Sequence, residues 1–237
     1  MNISKSLVAA ALSVASVGAF ADVTVLGTSF ADGASTQATA IGTFSAYSGA
    51  NLGKFDFKAA QGGYQGVGVE GATAGEIDRT EKITGVLNQA YGISQFTLGL
   101  LFDGPEYGDV NEKAQVTVDF ADDNSSALFS YTLTSTSATT ADWSGFAGVV
   151  QNLSPATLSL GGAWSVLNPF GNRKINSISF TALNGVCGSA GGYCNNQSDF
   201  TLVSVTAVPE VETYAMMLAG LGLMGTIARR RNKSKAV

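Results

Sequence analysis

The chain has 237 residues, of which 45% are hydrophobic and 13% charged, and it contains 29 glycines, two cysteines and no histidine. The absence of histidine excludes Ser-His-Asp and Cys-His catalysis and every histidine-ligated metal site. The formal net charge is −5, and residues 22–207 hold 16 acidic against 7 basic side chains. Because nucleic-acid binding needs clustered Lys and Arg, that region predicts no nucleic-acid partner.

The N-terminus predicts export. Lys5 precedes an apolar run from Leu7 to about Val17, and the run closes on Ala19, Phe20 and Ala21. A basic start, a short apolar region and small residues before a cleavage point are typical of a secretory signal peptide. We therefore expect residues 1–21 to engage the Sec export machinery, signal peptidase to cut after Ala21, and the mature chain to begin at Asp22.

Apolar side chains recur at every second position in three segments of the body: Phe96, Leu98, Leu100 and Phe102; Val116, Val118 and Phe120; Ala127, Phe129, Tyr131 and Leu133. This period is typical of half-buried strands. The Asp122-Asp123-Asn124 stretch between two of them predicts a hairpin. Since no helical apolar stripe separates the segments, we expect residues 22–207 to form an all-β domain, a single antiparallel, jelly-roll-like β-sandwich.

Two acidic groupings lie in this body. The first, in GEIDRTE, comprises Glu76, Asp78 and Glu81. The second, in DGPEYGDVNE, comprises Asp103, Glu106, Asp109, Asn111 and Glu112. Oxygen-rich irregular loops can wrap Ca²⁺, so calcium is a candidate cofactor at the second grouping, beside the simpler interpretation of a solvated acidic loop. No other cofactor is predicted.

Two further alternatives concern carbohydrate. A polysaccharide hydrolase needs only two carboxylates across a cleft; the candidates are Glu76, Asp78, Glu81, Asp103 and Glu106. A carbohydrate-binding module, with or without calcium, would instead stack sugars on aromatic side chains; the candidates are Tyr64, Trp143 and Trp164. Packing in the core or at an edge is the expected role of all three aromatics.

Cys187 and Cys194 flank a glycine-rich stretch of six residues. In an oxidising compartment such a pair predicts a disulfide that closes a small loop.

A second apolar segment lies near the C-terminus. Residues 213–228 carry no charge, and Arg229, Arg230 and Arg231 follow at once. A helix over these 16 residues is about 24 Å long, which is short for a hydrocarbon core of about 30 Å but workable if the arginines snorkel. The positive-inside rule keeps the arginines in the cytoplasm and the body outside. We therefore expect a transmembrane helix at 213–228.

Residues 208–237 resemble the PEP-CTERM sorting signal of exported proteins in Gram-negative bacteria, where a Pro-Glu-Pro motif, a transmembrane helix and a basic end follow one another. Val208, Pro209 and Glu210 match the motif, and Val211 stands where the family has its second proline. The resemblance implies recognition by an exosortase, a membrane protease-transpeptidase, after transient anchoring in the inner membrane. It also implies release to the cell surface or the extracellular matrix.

The prediction for the whole chain is therefore a structural protein of the surface or the biofilm matrix, not an enzyme, with exopolysaccharide as a candidate partner.

Overall fold

The computed structural model describes residues 22–61, 64–102, 109–123, 127–154, 161–187 and 198–209. These residues form sixteen strands and one 3-10 turn, Gly27–Ser29, with no α-helix among them. Over the same ranges no helix is long and apolar enough to cross a membrane. The all-β prediction is confirmed, whereas the predicted signal peptide (1–21) and transmembrane segment (213–228) lie outside the described residues.

The strands of the first half of the chain are β1 (Val23–Leu26), β2 (Thr36–Thr39), β3 (Gly42–Ser48), β4 (Asn51–Leu52), β5 (Phe55–Gln61), β6 (Tyr64–Val69), β7 (Glu81–Phe102) and β8 (Asp109–Asn111). Those of the second half are β9 (Lys113–Phe120), β10 (Leu128–Ser137), β11 (Thr140–Trp143), β12 (Val149–Asn152), β13 (Gly161–Leu167), β14 (Ile175–Ala182), β15 (Val186–Cys187) and β16 (Thr201–Val208). Fourteen strands share one sheet, and β8 and β15 form a separate pair.

The 22-residue strand β7 belongs to two groups of strands. Residues 81–91 lie between β3 and β14, and β9, β10 and β11 continue outward from β14; we call this the first strand group. Residues 92–102 lie between β13 and β16, with β12 beyond β13 and with β1, β6 and β5 beyond β16; we call this the second strand group. All these pairings are antiparallel, as the sequence predicts.

The hairpin of β9 and β10 matches its prediction. Leu128 lies opposite Asp119 across an antiparallel pair, and the three residues of β9 predicted to face the core, Val116, Val118 and Phe120, are fully buried. Asn124 of the expected turn lies outside the described residues.

The predicted face of "FTLGLLF" is wrong beyond Leu98. Leu100 has a positive φ of 61° and has no partner in the register with β13, where Gly162 lies opposite Leu101 and Ala163 opposite Gly99. Such a β-bulge inserts one extra residue and moves the following side chains to the other face. Leu100 and Leu101 are consequently both buried.

Aromatic contacts join the two strand groups. The Phe96 ring of the second group lies with its centroid 5.4 Å from that of Trp143 and 5.8 Å from that of Phe180, both of the first group. Edge-to-face packing of this kind adds about 0.5–1.5 kcal/mol per pair beyond the burial of area. The hydrophobic core is thus continuous across β7.

Candidate functional site

The connection between β6 and β7 folds back over β6 and carries the first acidic grouping inward. The Val69 backbone N–H donates to the Glu76 carbonyl (2.9 Å), and the Ile77 N–H donates to the Phe200 carbonyl (2.7 Å). Gly68 leaves room for this connection, since a Cβ at that position would overlap the Glu76 backbone. Because Gly68 has no side chain, the β6–β7 connection can lie directly on β6 at this position.

Carboxyl groups from three separate parts of the chain meet here. They are Asp56 of β5, Glu76, Asp78 and Glu81 of the β6–β7 connection and the start of β7, and Asp199 just before β16. We call these five residues the acidic cluster.

Lys58 neutralises part of this charge. Its Nζ forms an ion pair with Glu76 Oε1 and donates to the Ala74 carbonyl at 3.0 Å. The Lys58 side chain is 18% exposed and that of Glu76 only 7%. Removing one partner of such a buried ion pair strongly destabilises the fold, because the other charge stays buried.

Thr73 connects two members of the cluster. Its backbone N–H donates to Asp78 Oδ2 (3.0 Å), and its Oγ1 lies 3.2 Å from Asp78 Oδ1 and 3.1 Å from Asp199 Oδ2. A hydroxyl has one proton to donate, so it can satisfy only one of these two oxygens as a donor. The other contact is a hydrogen bond only when that carboxyl is protonated and donates to Thr73.

Two carboxyls of the cluster hold protons more tightly than usual. Burial raises the pKa of Asp199 to about 8; a hydrogen bond to Glu76 and the charge of Glu76 add to the rise, and the Thr73 hydrogen bond opposes it. Burial likewise raises the pKa of Glu81 to about 7, against the hydrogen bond from the Asp78 N–H, which Glu81 Oε2 accepts at 3.0 Å. At neutral pH, Asp199 is therefore mostly protonated and can donate its proton to Glu76, while its Oδ2 accepts the hydrogen bond from the Thr73 hydroxyl.

The carboxyl oxygens of the acidic cluster bond to other groups of the protein. Glu76, Asp78 and Glu81 are 6%, 5% and 3% exposed and bond to backbone N–H groups, Lys58 and Thr73. A glycosidase needs its acid and its base on opposite sides of a sugar that enters between them. The burial of these three carboxyls favours a role in holding the β6–β7 connection in place.

Sequence reasoning pointed to Glu76, Asp78 and Glu81 but missed Asp56, Lys58, Thr73 and Asp199. Asp199 is more than 100 positions from the others, and nothing in its neighbourhood in the sequence marks it. A weak signal was present on β5, where charged residues stand at positions 56 and 58 on one face of a strand.

The second acidic grouping is only partly described. Asp103 and Glu106 lie outside the described residues, and Asp109 is described only by its place in β8. Asn111 Nδ2 donates to the Ser135 carbonyl (2.7 Å), and Glu112 Oε2 accepts the Phe102 backbone N–H. Within the described ranges no group of three or more His, Cys, Asp or Glu is arranged to hold a metal ion. The calcium site stays a prediction.

The three candidate stacking aromatics are held within the fold. Trp164 is fully buried and donates from Nε1 to the Leu101 carbonyl (2.8 Å). Trp143 is half-buried among other rings, and the Tyr64 hydroxyl donates to the Leu153 carbonyl. The fully buried ring of Trp164 offers no face on which a sugar could stack.

The disulfide remains a prediction. Cys187 ends β15, where it lies opposite Asp109 of β8. Cys194 lies outside the described residues, and no disulfide is seen within them.

The two ends of the described chain lie side by side. Val23 of β1 is opposite Ala207 of β16, and the Asp22 carboxylate accepts a hydrogen bond from the Ser94 hydroxyl (2.9 Å). Val208 ends β16 and Pro209 after it is buried. The other predicted processing residues, namely Ala19, Ala21, Glu210, Arg229, Arg230 and Arg231, lie outside the described residues.

No known protein family matches this chain, and no characterised protein or solved structure shows significant similarity to it.

Proposed function

We propose that this chain is an exported, non-enzymatic protein of the cell surface or the extracellular biofilm matrix, delivered by a signal peptide and a C-terminal sorting segment that an exosortase removes. The observation that carries the proposal is the position of the two ends of the fold. β1 begins at Val23, one residue after the predicted new N-terminus, and β16 ends at Val208, the first residue of the predicted motif.

Processing at both predicted places would leave the fold whole. Cleavage after Ala21 and a second cleavage near Glu210 fall outside all sixteen strands. Because β1 and β16 pair along Val23–Leu26, each strand end stays held by the other after the flanking segments are gone. A body bounded in this way is suited to delivery by two removable segments.

We further propose that the body is a jelly-roll-like β-sandwich, whose two layers are the first and second strand groups. The contacts of Phe96 with Trp143 and Phe180 support face-to-face packing of the two groups. The passage of β7 from one group to the other is the kind of bend by which a strand can switch sheets in such folds.

The non-enzymatic part of the proposal is supported by the acidic cluster. Its carboxyls hold the β6–β7 connection in place: Asp56 Oδ2 of β5 accepts the Gly75 N–H (2.7 Å), and Asp199 Oδ2, just before β16, accepts the Thr73 hydroxyl (3.1 Å). The excess of 16 acidic over 7 basic residues in the body is suited to a soluble extracellular protein and to contact with divalent cations.

The test is the intact mass of the protein from cells and from medium, for the wild type and for an Arg229→Ala, Arg230→Ala, Arg231→Ala variant. We expect the wild type to be released as a product that begins at Asp22 and lacks everything after about Glu210. The variant should keep its tail and stay with the cells. Arg79→Ala, which removes an exposed arginine of the body, is the control and should be released normally. A wild-type protein that keeps its tail and is found only in the inner-membrane fraction would contradict release to the matrix.

The carbohydrate alternatives are separated by one further measurement on the released body. Incubation with exopolysaccharide should give no turnover. Binding without turnover would favour the carbohydrate-binding module. Turnover that disappears in Glu76→Gln would instead favour the hydrolase.

A further inference from the structure

The register of the second strand group brings the exit of the C-terminal tail close to an exposed apolar side chain. Residues of β12, β13, β7 and β16 lie opposite one another in one row: Val149, Leu167, Gln95 and Thr206. Neighbouring strands are about 4.8 Å apart, so three spacings place Val149 about 14 Å from Thr206. Pro209 follows three residues later at the same end of these strands.

The first strand group ends at this same end of the fold. Residue 91, its last residue on β7, is directly followed by residue 92, where the second strand group begins. Tyr91 lies opposite Ile175, and Ile175 lies opposite Phe120. Leu128, the first residue of β10, lies opposite Asp119 next to this row. We call this end of the fold, around residues 91–95 of β7, the exit end.

Three large apolar side chains are exposed at the exit end. Leu128 and Val149 are each 67% exposed, and Phe146 is 58% exposed. The Phe146 ring is held in place by rings behind it, with centroids 6.1 Å from Phe120 and 6.0 Å from Tyr131. Leu128 belongs to the first strand group and Val149 to the second, so these side chains are spread around the exit end; we call Leu128, Phe146 and Val149 together the apolar patch.

The short connection between the fold and segment 213–228 limits how far the apolar patch can lie from the membrane. Only four residue steps separate Pro209 from Thr213, where the uncharged segment 213–228 begins. Four steps of extended chain reach at most about 14 Å. If segment 213–228 spans the bilayer, the exit end has to face the membrane at close range.

We propose that, while the tail is still attached, the apolar patch lies in the lipid–water interface of the membrane that holds the tail; this inference rests on the proposed function. A patch of three side chains is small, but a short tether gives it a high effective concentration at the bilayer. This contact with lipid is lost once the tail is cut, because the intrinsic affinity of three side chains for the bilayer is too low without the tether. Removal of the tail therefore detaches the body in a single step.

The charge at the exit end sets the kind of lipid contact. Carboxylates exceed cations there: Asp22, Asp119, Asp122 and Asp123 against Arg173 and Lys174. Arg173 is already paired with Asp122 (2.6 Å). Anionic headgroups would therefore repel this end, and the contact with lipid is apolar. It should form most readily on zwitterionic bilayers.

The experiment uses the mature chain with its tail, residues 22–237, purified from cells without exosortase and reconstituted into phosphatidylcholine vesicles. Benzoylphenylalanine replaces Phe146 in one variant and Leu52 in the control. Leu52 is 60% exposed, and its partner Tyr47 lies opposite Lys82. Ile83, next to Lys82, lies opposite Phe180, and Tyr91 lies opposite Ile175, so about five residues of β14, or about 17 Å, separate this control from the exit end. A third variant carries the probe at Val149, in case the Phe146 position does not tolerate it.

After flotation and illumination, adducts are identified by mass spectrometry. Lipid adducts at position 146 or 149 in at least tenfold excess over position 52 would support the inference. Vesicles that carry the chain but give equal lipid adducts at all positions, or adducts between two copies of the body at position 146, would overturn it and leave tail anchoring intact. A chain that does not float with the vesicles would overturn the anchoring step of the proposed function as well.

Discussion

Val23 and Ala207 face each other as cross-strand partners, so the first and last strands of the body form one antiparallel pair. β1 has no other partner strand among the pairings of the described chain. It is therefore held by β16 and by the single side chain that it buries, Val25, opposite Val205.

The pairing of β1 with β16 should therefore depend mainly on the burial of the Val25 side chain. Val25→Ser removes a buried apolar side chain and introduces a hydroxyl, and we expect a loss of about 2–3 kcal/mol in the free energy of unfolding. Thr24→Ala, on the exposed face of the same strand, removes only the contact between the Thr24 and Thr206 hydroxyls (3.0 Å) and should cost less than about 1 kcal/mol. Urea unfolding of the processed body measures both. Equal losses would mean that β1 contributes nothing through its buried face.

The Lys58–Glu76 pair offers a second test, because the chain contains an exposed counterpart. Lys58→Met leaves the Glu76 carboxylate buried without its cation, and we expect a loss of about 3–5 kcal/mol. Lys54 and Glu70 lie 3.7 Å apart with side chains 58% and 65% exposed. Lys54→Met should therefore cost no more than about 1 kcal/mol.

Chemical denaturation at neutral pH compares the two variants. Adding Glu76→Gln to Lys58→Met should restore part of the lost stability, since it removes the unpaired charge. A Lys58→Met protein as stable as the wild type would contradict a stabilising role for the Lys58–Glu76 pair.

The strand content could be predicted from the sequence because period-two alternation reports directly on half-buried strands. It succeeded best on β9, where the apolar residues at every second position are buried, and on β10, where they are buried or half-buried. It failed at Leu100, because a bulge is a backbone feature that changes no residue type in a recognisable way. It also gave no sign that β7 continues through Gly92 as one strand serving both groups, since a glycine at such a point equally indicates a turn.

The acidic cluster could be predicted only in part, for a different reason. Glu76, Asp78 and Glu81 are close in the sequence and stand out as a group. Asp199 joins them through the fold alone, when the start of β16 comes to lie beside the β6–β7 connection. Burial, and therefore the raised pKa values, follows from that long-range packing and has no local signature.

Stability should fall as pH rises through the neutral range. The folded-state pKa of Asp199 is about 8 and that of Glu81 about 7, both above the ordinary values of 3.8 and 4.5. Between these values the folded state binds more protons than the unfolded state, so the free energy of unfolding decreases with rising pH. The favourable contribution is complete below about pH 4 and is lost by about pH 8.

Asp199→Asn should remove much of this pH dependence, because an amide cannot ionise. We expect the variant to be more stable than the wild type at pH 8 by about 1–3 kcal/mol and to differ less at pH 5. Urea unfolding at pH 5, 6.5 and 8 makes the comparison. Asp142→Asn, on an exposed position of β11, is the control and should keep the wild-type slope. A wild-type stability that increases from pH 5 to 8 would contradict the raised pKa values.

The close approach of the β6–β7 connection to β6 gives the last prediction. Gly68 is buried, and a Cβ there would overlap the Glu76 backbone, which the hydrogen bond from Val69 holds in place. Gly68→Ala should therefore cost about 3 kcal/mol, since backbone cannot move aside as a flexible side chain does. It should also lower the raised pKa values by moving the acidic cluster toward water.

Gly92→Ala is the matched control, because the nearest atom to a Cβ there is Val208 Cβ at 4.0 Å. Its stability should be unchanged or higher by up to about 1 kcal/mol, as a methyl group restricts the unfolded chain. Thermal and urea unfolding of the two variants, each at pH 5 and pH 8, separate the effects. A Gly68→Ala protein with wild-type stability and wild-type pH slope would mean that the connection does not lie on β6, and the acidic cluster would then not be assembled as described.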